Sequence, residues 1–188
     1  MNILKGKVEM KKSFPFIFGL IAIDQIIKLI IASKFFDADL VLLPGILFFR
    51  PVQNRNLSWI ASLLDLKAPV LLMIAAQLFA LIIIYLSYRY FSYLWIEGKK
   101  FLNGMLIFII SGIICSFIDV VFWGGSLDFI RLFNWFTFDL KDIFLNMGVA
   151  FLLLFITNYY IKAYHKMDRK ERRQTDIWIW IKKGMPNR

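Results

Sequence analysis

The chain has 188 residues, of which 60% are hydrophobic, and it carries a net charge of +10. This apolar fraction is too high for an ordinary water-soluble domain and predicts an integral membrane protein. The single cysteine, Cys115, excludes an intramolecular disulfide and a cysteine-based zinc cluster, and the single histidine, His165, argues against histidine-based zinc or serine chemistry.

Four apolar stretches are each long enough to cross a bilayer core, which takes about 20 residues. They lie at residues 14–33, 68–87, 101–123 and 142–161. We expect the first stretch to be retained, because it is not followed by a small-residue cleavage site and a soluble domain. The predicted fold is therefore an all-α membrane protein: a four-helix transmembrane bundle forms one domain, residues 1–164, and a basic tail follows, residues 165–188.

The net positive charge is confined to three segments. Residues 1–13 carry +3, residues 89–100 carry +2 and residues 165–188 carry +5, whereas the loops 35–67 and 123–141 are neutral. In a four-span topology the three basic segments lie on one side of the membrane. The positive-inside rule then predicts that both termini are cytoplasmic and both neutral loops are outside. This distribution also argues against a nucleic-acid partner.

The first span contains two charged residues, Asp24 and Lys28. They are four residues apart, so they lie on one helix face and can pair. An unpaired charge at that depth is costly, so we expect a structural ion pair that locks helix packing.

The first outer loop contains two β-rich runs, residues 40–43 and 46–52, on either side of Pro44-Gly45. Such a pattern predicts a small β-hairpin at the membrane surface. Further on, residues 58–66 predict a short helix lying in the membrane interface, with Ser58 as its cap. The alternative for this loop is an ordinary connector folded on the bundle.

Two aspartates, Asp119 and Asp142, lie on either side of the second outer loop in the sequence. Asp119 lies near the outer end of the third span, which Gly124-Gly125 is expected to end. Asp142 opens the fourth span, where an aspartate can also serve only as a helix cap. Two carboxylates that meet at one depth suggest acid/base chemistry, in which one activates water and the other polarises a carbonyl.

A second pair of aspartates, Asp128 and Asp139, lies within the loop 123–141 and is an alternative working pair. We expect these two carboxylates to be wetter, and a solvated carboxylate has less reason for a raised pKa. Asp139 is expected to help cap the fourth helix, and Asp128 to orient the loop. In the basic tail, the segment 177–181 with its two tryptophans predicts an interfacial anchor on a solvated tail.

The chain resembles the lipoprotein signal peptidases, the type II signal peptidases, over residues 14–165. The resemblance is carried by five stretches that occur in the order of the family's motifs. In the first half of the chain, Asp24-Gln25-Ile26-Ile27-Lys28 is similar to the family's D-Q-x-x-K, and Asn54 with Trp59 is similar to N-x-G-x-x-F. In the second half, Ser111-Gly112 through Asp119 is similar to the glycine-rich third span, Asp128-Phe129-Ile130 to V-x-D-F-I, and Phe138-Asp139-Leu140-Lys141-Asp142 to F-N-x-A-D.

The resemblance implies a membrane aspartyl endopeptidase that cleaves diacylglyceryl-modified prolipoproteins just before the lipidated cysteine. Asp119 and Asp142 would be catalytic, and Asn54 and Asp128 would position the loop or substrate. It further implies a monomer in the bacterial cytoplasmic membrane, with a lipid-modified precursor protein and membrane lipids as partners and with no metal or cofactor.

The chain also departs from the family pattern at several positions. Ser116 and Val120 replace an asparagine and an arginine around Asp119, and Asn56 replaces a glycine. Asp139 and Lys141 replace the asparagine and alanine before Asp142. Ser116 is then a candidate for substrate binding, and Arg131 or Arg55 for the missing arginine. The departures motivate an alternative, a non-catalytic relative that binds lipidated or membrane peptides. A small transporter is a weaker alternative, because the polar residues cluster towards the outer face.

Overall fold

The computed structural model describes residues 2–55, 69–133 and 135–186, with side chains from residue 13 onward. Its helices are α1 (Asn2–Lys34), α2 (Val70–Leu94), α3 (Lys99–Phe122), α4 (Leu140–Lys162), α5 (Arg169–Gln174) and α6 (Ile177–Lys182). Its strands are β1 (Leu40–Leu43), β2 (Leu47–Asn54), β3 (Ser126–Leu132) and β4 (Phe136–Phe138). The predicted interfacial helix at 58–66 lies outside the described residues.

The four predicted membrane spans are confirmed. Helical stretches long and apolar enough to cross a membrane occur at Ser13–Lys34, Val70–Leu94, Ile96–Phe122 and Leu140–Lys166. The second span continues beyond the predicted end at residue 87, because Tyr88 and Leu94 are buried. The Tyr88 hydroxyl also donates a hydrogen bond of 3.0 Å to Asn103 Oδ1 on α3.

Helix α3 lies at the centre of the bundle and packs against α1, α2 and α4. Half of its most apolar window is buried, compared with 22% for the first and fourth spans and 6% for the second. Glycine makes the α3–α4 contact close: a Cβ on Gly148 would lie 2.3 Å from Ile109 Cγ1 and 3.1 Å from the Ile109 backbone nitrogen. The main hydrophobic core, centred on Leu102, Met105 and Phe155, fills this side of the bundle.

A four-stranded antiparallel sheet, in the order β1-β2-β3-β4, caps one end of the bundle. The predicted hairpin is confirmed, since Leu40 pairs with Phe49 and Val41 with Phe48. Residues 123–141, which the sequence indicated only as the second outer loop, also contribute β3 and β4. Leu127 and Phe129 of β3 are buried against Ile31 of α1, which holds the sheet over the end of that helix.

The basic tail folds back onto the end of α2. Trp180 is only 2% exposed and packs against Tyr90, with ring centroids 5.4 Å apart. The Tyr90 hydroxyl donates a 2.6 Å hydrogen bond to the Thr175 carbonyl. Of the two tryptophans in the predicted interfacial anchor, Trp180 therefore packs inside the protein, whereas Trp178 is 69% exposed.

Candidate active site

A glycine turn at the end of α3 brings the four-stranded sheet close to Asp119. Gly125 has a φ of +142°, and its N–H donates a 3.0 Å hydrogen bond to the Asp119 carbonyl. A Cβ on Gly125 would lie 2.4 Å from the Asn54 carbonyl oxygen, so only glycine fits between α3 and the end of β2. This approach lets Asn54 Nδ2 donate a 2.9 Å hydrogen bond to Asp128 on β3.

A reciprocal cap fixes the start of α4. The Asp142 N–H donates a 3.3 Å hydrogen bond to Asp139 Oδ1, and the Asp139 N–H donates one of 3.2 Å to Asp142 Oδ2. Together they form a capping box, which satisfies two of the N–H groups at the helix start. The expected capping role of Asp139 is confirmed, and the same contacts set the position of the Asp142 carboxylate.

Lys28 joins three elements of the fold. Its ammonium lies 2.9 Å from Asp24 Oδ2, 2.7 Å from Asp119 Oδ2 and 2.7 Å from Asp139 Oδ2. The predicted Asp24–Lys28 ion pair exists, but it is not a separate pair, because Lys28 also binds a candidate catalytic aspartate. With no exposed surface on Lys28 or Asp24, these contacts supply the partners that buried charges need.

Lys141 provides a second ammonium group from the opposite side. It lies 2.7 Å from Asp139 Oδ2, 3.4 Å from Asp119 Oδ2 and 3.6 Å from Asp128 Oδ1, and it donates a hydrogen bond to Ser126 Oγ. Lys141 therefore contacts three aspartates, and its charge also acts on its sequence neighbour Asp142.

Asp128 and Asp139 are not the wetter pair that the sequence suggested. They are 3% and 0% exposed, because the segment folds as a strand against the bundle. Burial raises the pKa of Asp128 above its ordinary value, although Lys141, Ser126 and Asn54 oppose the shift. Burial acts in the same direction on Asp139, but Lys141 and Lys28 overcome it and lower the pKa of that carboxyl.

We call the two ammonium groups and the five carboxylates beside them the charged cluster. Its members are Asp24, Lys28, Asp119, Asp128, Asp139, Lys141 and Asp142. Five carboxylates thus lie beside two ammonium groups. Oxygens of Asp128, Asp139 and Asp142 lie within 4.8 Å of one another, a spacing that could hold a metal ion. The Lys141 ammonium already neutralises two of these three carboxylates.

Four members of the charged cluster, namely Asp119, Asp128, Lys141 and Asp142, line a cavity of about 1580 Å³. Both candidate catalytic residues, Asp119 and Asp142, line this cavity. So do the other predicted site residues, namely Asn54, Asp128, Arg131 and Ser116. Arg55 is exposed and is not among the described residues that line the cavity. Arg131 is therefore better placed than Arg55 to supply a cation there.

Sequence reasoning missed Gln77 on α2. Its side-chain nitrogen donates a 2.9 Å hydrogen bond to Ser116 Oγ, and both residues line the cavity. The available signal was a lone amide side chain within the otherwise apolar run 70–86. The contacts of Lys141 with Asp119, Asp128 and Ser126 were also missed, because they depend on how α3 and β3 pack beside the start of α4.

Comparison with known proteins gives consistent results. The model of the signal peptidase (SPase) II family matches residues 16–158. Two proteins named lipoprotein signal peptidase, from two strains of Streptococcus thermophilus, are each 28% identical over 143 residues, covering 74% of this chain and 88% of the relative.

Solved structures show the same fold. Two described as bacterial membrane enzymes are each 20% identical to this chain, with TM-scores of 0.61 and 0.56. The matched regions span 84% and 78% of this chain, and 95% and 92% of the two solved chains. The family match extends over well more than half of the chain, and we conclude that this protein belongs to the signal peptidase II family.

Proposed function

We propose that this protein is a membrane aspartyl endopeptidase that cleaves the signal peptide of diacylglyceryl-modified precursor proteins just before the lipidated cysteine. The observation that carries the proposal is that Asp119 and Asp142 line one cavity at the end of the bundle. Family membership and the names of the two streptococcal relatives support lipoprotein signal-peptide cleavage as the reaction.

Asp119 and Asp142 would activate the attacking water together. Lys28 contacts both oxygens of Asp119, at 2.9 and 2.7 Å, and Lys141 approaches one of them at 3.4 Å. An oxygen of Asp142 lies within 4.8 Å of oxygens of Asp128 and Asp139. One of the two carboxylates would take a proton from water, while the other polarises the scissile carbonyl and protonates the leaving nitrogen.

The remainder of the cavity fits a peptide that carries lipid. Asn54 and Asp128 are hydrogen-bonded to each other at the cavity wall, where they would position the loop or the substrate. Arg131 would supply a cation for a substrate carbonyl. Apolar lining residues from α2, including Met73 and Ala80, would face the acyl chains or the signal peptide.

The membrane placement is part of the same proposal. The four spans support a multi-pass membrane protein, and the charge distribution supports cytoplasmic termini with the site near the outer leaflet. The hairpin and the segment 58–66 would clamp the substrate from outside. We propose a monomer that acts without a metal or a cofactor.

The experiment is cleavage of a synthetic precursor peptide by the purified protein in lipid vesicles, followed by mass spectrometry. We expect a product that begins with the diacylglyceryl cysteine, and no product from the same peptide without the lipid. Equal cleavage of both peptides would contradict the proposed substrate class. Tight binding of the lipopeptide without any cleavage would instead favour the non-catalytic relative.

A further inference from the structure

A polar pair lies in the apolar part of the cavity, below the charged cluster. Gln77 and Ser116 are hydrogen-bonded across the α2–α3 contact at 2.9 Å. The neighbouring lining residues from the same helices are Met73, Ala76, Ala80 and Ile113. A polar group on a membrane span is costly unless it has a partner, and this hydrogen bond supplies a partner for the Gln77 nitrogen only.

The helices set the depth of the pair. Ser116 precedes Asp119 by three residues, so it lies on the same face of α3 and about 4.5 Å further from the outer end. Gln77 is seven residues from the start of α2 at Val70, which places it about 10 Å below that end. Both estimates put the pair roughly one helical turn deeper than Asp119.

Gln77 has an unused acceptor. Its Oε1 atom is buried, and among the residues that the structure describes no donor makes a hydrogen bond to it. The small side chains of Ala76 and Ala80 lie beside it on the cavity wall and leave space for a ligand. A buried acceptor without a partner is destabilising, and a ligand that brings a donor would remove that penalty.

The missing partner must be a hydrogen-bond donor. The acyl chains, ester groups and thioether of a diacylglyceryl cysteine contain acceptors but no N–H group, whereas each peptide unit of the substrate contains one. A helical peptide already uses its N–H groups internally. The acceptor therefore suits an extended stretch of peptide at the end of the substrate helix.

We propose that Gln77 is a binding site for one main-chain N–H of the substrate, on the signal-peptide side of the scissile bond. The inference rests on the proposed function, in which the site lies near the outer leaflet, so that the signal peptide runs from the scissile bond into the membrane. An extended chain rises about 3.3 Å per residue, so a depth difference of about 4.5 Å selects a peptide unit one or two residues before the scissile bond. Ser116 holds the Gln77 amide in place.

The test pairs enzyme variants with substrate variants. Lipopeptides are made in which one amide at a time, at the first four positions before the scissile bond, is replaced by an ester that lacks the N–H. Each is assayed with the wild-type protein, with Gln77→Leu and with Leu78→Ala as a matched control, because Leu78 is 52% exposed on the same helix.

We expect Gln77→Leu to lower kcat/KM for the all-amide substrate about fivefold to tenfold, mainly through KM, as for the loss of one buried hydrogen bond. One ester substitution, at the first or second position, should cause a similar loss with wild type and with Leu78→Ala but no further loss with Gln77→Leu. The inference would be overturned if the ester substitution at each position lowered kcat/KM as much with Gln77→Leu as with the wild type. An unchanged KM in Gln77→Leu would overturn it as well.

The outcomes also separate the two proposals. If wild type cleaves the all-amide substrate but no position couples to Gln77, only the inference about Gln77 fails. If wild type cleaves none of the substrates, the proposed function fails and the inference fails with it.

Discussion

Lys141 offers a quantitative test of how the charged cluster is balanced. Lys141→Met keeps the length of the side chain but removes an ammonium that lies 2.7 Å from Asp139 and 3.4 Å from Asp119. With an effective dielectric constant of about 20, the lost attractions are roughly 6 and roughly 5 kcal/mol before desolvation is considered. Desolvation offsets much of this, and breaking a buried ion pair costs about 3–5 kcal/mol in practice.

We expect the lower end of that range, about 3 kcal/mol, because Lys28 still binds Asp139 at 2.7 Å. In the double variant Asp139→Asn with Lys141→Met, one negative and one positive charge disappear together, and asparagine remains a good helix cap. The double variant should therefore lose only about 1 kcal/mol, less than Lys141→Met alone.

The assay is thermal unfolding of the detergent-solubilised protein. For a chain of this size about 1 kcal/mol corresponds to about 2–4 °C, so Lys141→Met should lower Tm by about 6–12 °C and the double variant by much less. Asp139→Asn alone serves as the second arm of the cycle. A Tm loss in the double variant equal to the sum of the two single losses would refute the reasoning, as would an unchanged Tm in Lys141→Met.

Three further predictions concern stability and docking. Burial makes the folded-state pKa of Asp128 higher than the unfolded value of 3.8, so the folded protein binds this proton more readily than the unfolded chain. Protonation of Asp128 therefore favours folding increasingly as the pH falls from the folded-state pKa towards 3.8. Asp128→Asn should flatten this part of the curve of Tm against pH, and an unaltered slope would contradict the raised pKa of Asp128. Gly148→Ala should lower Tm through its clash with Ile109, whereas Gly19→Ala should not, because nothing lies within 4 Å of that position; equal effects would argue against close α3–α4 packing. Trp180→Ala should release the tail and expose it to limited proteolysis, whereas Trp178→Ala should not, since Trp180 is 2% and Trp178 69% exposed; matching digestion patterns would argue against docking on α2.

The membrane architecture was predictable because it depends on local properties of the chain. Twenty apolar residues in a row are sufficient to identify a span, and the hairpin around Pro44-Gly45 has a local turn signal. Strands β3 and β4 were missed for the complementary reason. They are seven and three residues long, and β3 is stabilised by pairing with β2, more than 70 residues earlier in the chain.

In the candidate active site, too, the features that depend on local sequence were predictable and the contacts between distant segments were not. Asp119 and Asp142 could be selected from the sequence because a carboxylate in or beside a span is rare and costly. The charged partners were only partly predictable: the Asp24–Lys28 spacing shows a pair within one helix, but not that Lys28 reaches Asp119 across the bundle. The burial of Asp139 likewise depends on α1, which supplies Lys28 from more than 100 residues away.

The central claim is that Asp119 and Asp142 act together on the scissile bond. The most direct test is the rate at which Asp119→Asn and Asp142→Asn each cleave a diacylglyceryl precursor peptide in vesicles, with Tm and lipopeptide binding measured to show that each variant is folded. We predict that each substitution lowers the rate at least about a hundredfold, as expected for the loss of a general acid or base, while binding persists. Unchanged cleavage by either folded variant would contradict the claim.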